Sequence, residues 1–198
     1  LVELERRIWW PQGSTGALSQ GLTPEEVFHF SYAIFHSPTY RSRYAEFLKF
    51  NYPRLPLAGS LALFRALDRL GSELVALHLM QSPKLGNYIM SLIGSGEFHV
   101  EKTSYLSETL WLDKAKTYGF RGMPEEVWNF HIGGYKICEK WLKDRGPKKG
   151  KPGRILTKED IAHYQKIIVA ISETIRIMGE IDEVIENYGG WPEAFVTE

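Results

Sequence analysis

The feature that most constrains this chain is a single uninterrupted helical pattern near its C-terminal end. Ile161, Tyr164, Ile168, Ile171, Ile175, Met178, Ile181 and Ile185 recur at three- and four-residue steps, the signature of one apolar helical face. Thr157 with Asp160 forms a capping box that opens the helix. The pattern predicts a helix over residues 158–187. That exceeds the usual length for a globular helix, so it reads as a strut or as a packing partner for other elements.

Two further helix starts lie near the other end. Thr23, Pro24 and Glu26 supply an N-cap, a proline in the first turn and a carboxylate three residues after the cap. Val27, Phe30, Ile34 and Phe35 follow as an apolar stripe. Ser37-Pro38 repeats the start signal and predicts a second helix running to about Phe50. Pro53 and Pro56 then impose an extended segment. Leu61, Phe64, Leu67, Leu70, Leu74 and Leu77 predict a third helix from Ser60 to about Met80.

The middle changes character. Residues 81–96 read as a connector, and the GSGE of Gly94–Glu97 as a turn. Phe98/Val100 and Leu110/Leu112 alternate with polar residues, which predicts two or three strands. MPEEVWNF reads as one helical turn opened by Pro124, HIGGYK as a short strand with a tight turn, and ICEKWLKDR as a short helix. No βαβ alternation is present. The expected class is α+β: N-terminal helices, a small mostly antiparallel sheet in the middle and a long C-terminal helix. Residues 1–22 read as an arm or loop. Residues 23–198 read as one domain, helical over 23–80, mixed over 97–145, with a basic loop at 146–156 and the long helix at 158–187.

Composition narrows the function. The 198 residues include 24 basic and 24 acidic side chains and 43% hydrophobic residues, which excludes intrinsic disorder. One cysteine, Cys138, leaves no intrachain disulfide and fits a reducing compartment. The longest apolar run, Ile167–Ile171, is far short of a membrane span. Leu1–Arg7 alternates apolar with charged residues, unlike a secretory leader. A cytoplasmic location is therefore expected. The chain opens on Leu1 rather than Met, so it reads as a piece of a longer protein.

The sequence shows no phosphate-cradling loop, nucleophile elbow or metal spacing. His29, His36, His78, His99, His131 and His163 are scattered and read as core or solvated histidines. Cys138 reads as structural. Glu25/Glu26 and Glu125/Glu126 sit at helix starts, where the helix dipole accounts for them. No catalytic residue, metal site or cofactor site is expected in this chain.

The neutral total hides strong segregation. From Lys136 to Lys158 nine basic residues face only Glu139 and Asp144, a net charge of +7. From Glu173 to Glu198 the net charge is −6. A concentrated basic stretch points to a polyanion partner. Its candidate binding residues are Gly133, Gly134, Tyr135, Lys136, Lys140, Lys143, Arg145, Lys148 and Lys149. The glycines permit close approach of another backbone. Lys136, Lys140 and Lys143 fall at the spacing of one helical face, and Lys143 to Lys149 reads as a flexible cationic segment. A second candidate group is Arg41, Arg43, Lys49 and Arg54. Arginines near a positive helix N-terminus are unfavourable there. Either a bound phosphate or an internal partner, such as Glu46 for Arg43, offsets that cost.

Three stretches carry a family resemblance: YAIFHSPTYRSRYAEFLKFNYPRLPL, VWNFHIGGYKICEKWLKDR and LTKEDIAHYQKIIVAISETIRIMGEID. In this order and spacing they resemble the C-terminal specificity domain of type ISP restriction–modification enzymes, over residues 23–182. The resemblance implies a target-recognition module of a long polypeptide. Its other parts would be a nuclease, an ATP-driven translocase and an adenine methyltransferase. The module would hold double-stranded DNA while the methyltransferase modifies a flipped adenine. S-adenosylmethionine, ATP and Mg are then implied for the rest of the polypeptide and none for this chain. Residues 83–116 are the expected specificity-determining stretch, and Arg41 and Arg43 are expected to grip phosphate rather than read bases. Two alternatives stand beside this reading. One is an interaction module that docks the enzyme's other domains without reading DNA. The other is a small hydrolase built on scattered His and Glu, which has no motif behind it.

Overall fold

The computed structural model describes residues 22–148 and 152–195. In chain order the elements are α1 (Pro24–His36), α2 (Pro38–Arg43), α3 (Ala45–Leu48), α4 (Leu61–His78), a 3-10 turn (Pro83–Gly86), β1 (Ser91–Ile93), β2 (Ser104–Leu106), β3 (Thr109–Trp111), β4 (Gly119–Arg121), α5 (Glu125–Trp128), β5 (His131–Ile132), β6 (Tyr135–Lys136), α6 (Ile137–Lys143) and α7 (Lys158–Asn187). The class is the expected α+β, with the small sheet antiparallel and the long helix last. The expected arm at residues 1–22 lies outside the described residues apart from Leu22. Among the described residues no helix is long and apolar enough to cross a membrane. The chain divides into two units. Residues up to Leu79, with those from Thr174 onward, form one; Met80–Glu173 form the other.

In the first unit α1 packs on α4. The predicted cap at Thr23 forms, with Thr23 and Glu26 bonded reciprocally, and Ser60 caps the other helix, its hydroxyl accepting from the Leu63 N–H. Such caps contribute about 1 kcal/mol each. Phe30 stacks on Phe64 at 4.8 Å, and both are fully buried. Gly71 lets the helices approach: a Cβ there would collide with the His29 carbonyl oxygen.

Asp182, on the second half of α7, fixes the α1–α2 corner. Its carboxylate accepts from the Ser37 hydroxyl and from the Thr39 N–H and hydroxyl at 3.0 and 2.7 Å. Ser37 also caps α2 by accepting from the Tyr40 N–H. The predicted helix from Pro38 to Phe50 breaks at Tyr44, whose backbone leaves helical geometry (φ −102°, ψ 16°). The Tyr44 ring packs there against Tyr40 and Trp191.

The second unit centres on a four-stranded antiparallel sheet of order β1-β4-β3-β2. β1 falls in the stretch read as a connector. It is a three-residue edge strand paired with β4, too short to show an alternation. The expected strand at Phe98–Val100 does not form. There the Phe98 carbonyl accepts from the Leu156 N–H, and His99 bridges Ile155, so this segment pairs with the approach to α7. Gly119 is required in β4, because a Cβ would collide with the Leu110 carbonyl oxygen. Phe120 and Tyr164 meet in the core at 5.2 Å.

Helix α7 spans the predicted residues, and Thr157 and Asp160 cap it as expected. Its buried stripe is Tyr164, Ile168, Ile171, Thr174, Ile177, Ile181 and Ile185, whereas Ile161, Ile175 and Met178 are half-buried.

Gly71→Ala is expected to lower stability by about 1–3 kcal/mol through overpacking. Asp182→Ala is expected to cost about 1.5–3 kcal/mol by removing a charged acceptor. Urea denaturation midpoints measure both. Unchanged midpoints would contradict the packing and capping described for this unit.

Candidate nucleic-acid interface

The candidate residues fall into one group in each unit. In the second unit, β5 and β6 form a two-stranded hairpin. Gly133 and Gly134 turn it at φ 56° and 83°. Consecutive positive φ values are those of a type I′ turn, which matches the twist of the strands it joins. An added Cβ at either glycine would meet nothing within 4 Å, so the backbone conformation rather than packing calls for glycine. The turn presents Ile132 and Tyr135, a cross-strand pair that is 56% and 60% exposed.

Cations surround this tip. Lys136 donates to the Asn129 side-chain oxygen at 2.8 Å and lies 5.7 Å over the Trp128 ring. It belongs to β6 and caps α6 in an extended conformation. The helical stripe expected from Lys136 through Lys143 therefore begins at Lys140. Lys140 sits 5.8 Å over the Tyr135 ring and pairs with Asp144 at 2.9 Å. Lys143 pairs with Glu139 at 2.8 Å. Both pairs link residues one helical turn apart near the surface, where an ion pair adds little to stability, so a phosphate can compete for either lysine. Lys148 is exposed. Lys149 lies outside the described residues.

Arg145 is held differently. It was expected on a flexible cationic segment, but its guanidinium lies 3.5 Å from the Trp141 ring centroid. One nitrogen donates to the Trp141 carbonyl at 3.1 Å, and Nε is 3.6 Å from Asp160. The Trp141 ring packs in turn, tilted by 31°, on that of buried Tyr164. Asp160 also pairs with Arg154 at 2.7 Å and accepts from the Thr157 N–H and hydroxyl. Burial alone would raise the Asp160 carboxyl. The Thr157 N–H and the two arginines outweigh it and hold the group below the usual carboxylate range. Asp160 lies outside the basic stretch by two residues, so the charge count along the sequence missed its principal counter-ion.

In the first unit, Arg41 donates through Nε to the Phe35 carbonyl at 2.7 Å. That carbonyl belongs to the last turn of α1, whose negative end favours a cation. This offsets the cost of placing Arg41 near the start of α2. Arg43 is exposed, and Glu46 pairs with Lys49 at 2.6 Å instead. Arg54 is exposed and lies 5.1 Å over the Phe47 ring.

Several other titratable groups have structural partners. His29 meets Asp68 at 3.3 Å, and His36 meets the Tyr32 carbonyl at 2.7 Å. His78 joins the Tyr32 and Thr174 hydroxyls. Burial pushes His36 and His78 below the usual imidazole range. Cys138 is buried against the Val127 carbonyl, and burial raises its thiol to about 12. A thiol held so high supplies almost no thiolate nucleophile. Among the described residues no group of three or more His, Cys, Asp or Glu could hold a metal ion.

Residues 6–180 match the type ISP C-terminal specificity domain, and the chain belongs to that family. Solved structures share the fold at low identity. One is the ATP-dependent type ISP restriction–modification enzyme LlaBIII bound to DNA (TM-score 0.58, 19% identity, 83% of this chain and 11% of that one). Another is a nuclease-deletion mutant of the type ISP enzyme LlaGI with a DNA substrate mimic (0.53, 20%, 84% and 14%). A third is a DrdV–DNA complex (0.64, 20%, 85% and 19%). The chain thus spans between 11% and 19% of the length of these neighbours. No curated protein matches it.

Asp160→Asn is expected to weaken stability at neutral pH and to flatten its acid limb. A depressed carboxyl stabilises fully above its unfolded value, about 4, and that stabilisation is lost as pH falls below it. Arg145→Ala should lower the thermal midpoint more than Lys143→Ala. Thermal unfolding between pH 3 and 7 measures both effects. An acid limb unchanged by Asp160→Asn would contradict the role given to this carboxylate.

Proposed function

We propose that this chain is the DNA target-recognition module of a type ISP restriction–modification polypeptide. It holds duplex DNA so that domains elsewhere in the polypeptide can methylate an adenine or cleave in response to an unmodified site. The S-adenosylmethionine, ATP and Mg used in those reactions belong to those other domains. The reading rests on membership of the specificity-domain family, together with fold neighbours that were solved on DNA.

The observation that carries it to residues is the hairpin tip among cations. Gly133 and Gly134 offer a side-chain-free turn. Ile132 and Tyr135 offer apolar contact, and Lys136, Lys140, Lys143 and Lys148 offer positive charge. Phosphate contacts position a protein on the duplex, and base-edge contacts specify the sequence. The lysines suit the first task as point charges. Arg145 and Lys149 complete the basic group, Arg145 chiefly by holding α6 against α7. Arg41, Arg43, Lys49 and Arg54 form a second phosphate-gripping group on the other unit. Residues 83–116, which contain β1 to β3, are the proposed source of sequence preference.

A second reading is supported by the internal pairing of Lys140, Lys143, Arg145 and Arg154. If those pairs satisfy the cations, the chain docks other domains without binding DNA. Salt dependence separates the two. Each phosphate neutralised gives a log–log slope of about −0.9. The chain should bind a labelled duplex with affinity falling steeply between about 50 and 200 mM salt. The variant Lys140→Ala/Lys143→Ala/Lys148→Ala should weaken binding to all sequences alike and reduce the slope by about three. Binding indifferent to salt, or an unchanged slope in the variant, would contradict the role given to these lysines, and no duplex binding at about 50 mM salt would favour the docking reading.

A further inference from the structure

A pocket of about 250 Å³ in the first unit is lined by Tyr40, Tyr44, Phe47, Arg54, Leu55 and Pro56. Three of its six lining residues are aromatic, and its one charged residue is a cation. The site lies below the about 300–1,000 Å³ typical of small-molecule pockets. It can take a single planar ring and not a duplex.

Its walls are set before anything binds. Tyr40 is buried at 3% exposure, and its hydroxyl donates to the Arg54 carbonyl at 2.7 Å. Its ring meets that of Tyr44 at 5.0 Å. Pro53 and Pro56 restrict the segment that closes the other side. A ligand entering here therefore orders little of the protein.

The segment that carries the pocket is apolar and positive at once. Phe50 and Tyr52, on the loop joining Phe47 to Arg54, are 85% and 93% exposed. Residues 40–56 carry Arg41, Arg43, Lys49 and Arg54 against the single acid Glu46. Lys49 covers that acid. Arg54 lies 5.1 Å over the Phe47 ring, a guanidinium–aromatic pair that a further flat ring can extend. Exposed rings among cations match a nucleotide, whose base stacks and whose phosphate pairs. An apolar peptide would not need the charge.

We propose that this pocket binds one unstacked nucleobase of a DNA strand, with Tyr44 and Phe47 as the stacking surface and Arg54 bridging to the backbone. The inference rests on the duplex-binding reading and adds a site to it.

Two duplexes test it against the 198-residue chain. One is fully paired, and the other carries a single extrahelical 2-aminopurine. The extrahelical probe should bind on the order of tenfold more tightly, as expected for one base–ring stack. Its fluorescence should be quenched on binding. Phe47→Leu keeps apolar bulk but removes the ring, and Arg54→Gln alters an exposed side chain. Each should cut the preference to below about threefold of the paired duplex, with thermal midpoints reporting that the variants fold. Equal affinity for both probes with a bright 2-aminopurine, or a full preference in Phe47→Leu, overturns the inference. If the paired duplex binds in a salt-dependent manner and the extrahelical base adds nothing, this inference alone falls and the rings face another part of the polypeptide. If neither duplex binds, the duplex-binding reading falls with it.

Discussion

Asp160 holds the second unit's basic surface in one arrangement. Its carboxylate accepts from Thr157 at the start of α7 and pairs with Arg145 after α6 and Arg154 before α7. The chain leaves α6, passes through the basic loop and returns to α7 within reach of that one group. Arg145 then sits over the Trp141 ring, and Trp141 packs on Tyr164, so the ion cluster continues into the apolar core. With α6 fixed in this way, Lys140 and Lys143 project from a rigid turn, and the hairpin that precedes them is held at Lys136 by Asn129 and Trp128.

That arrangement divides the cations by task. Arg145 and Arg154 share a carboxylate whose side chain is only 10% exposed, where breaking a pair strands a charge. Lys140 pairs with exposed Asp144 and Lys143 with half-buried Glu139, each one helical turn away, where a competing anion costs little. A stretch that counts +7 along the sequence thus holds some of its described cations in internal pairs, while Lys140 stays beside the hairpin, over the Tyr135 ring.

Much of the fold was legible because its signals are local. Thr23, Ser37 and Thr157 all cap helices where the sequence places them. The 30-residue helix follows from a single repeated apolar step. The sheet was less legible, since three-residue strands such as Ser91–Ile93 are too short to show an alternation, and Phe98–Val100 shows one without joining the sheet. Tyr44 interrupts a sequence that contains no glycine or proline at that point, because tertiary ring packing overrides local propensity there. At the candidate site, basic residues could be counted from the sequence, but their partners could not. Asp160 is distant from Arg145 along the chain, and Glu46 turned to Lys49 rather than Arg43. The pocket beside Arg54 depends on the Tyr40 hydroxyl reaching a carbonyl fourteen residues away, which no spacing reveals.

The central claim is that the target sequence is read in this chain. The most direct measurement exchanges residues 22–195 in the full polypeptide for the corresponding stretch of another family member and maps methylated sites by sequencing. The expected result is that the methylated sequence follows the exchanged stretch. Methylation that stays at the original sequence would place target reading elsewhere in the polypeptide and contradict it.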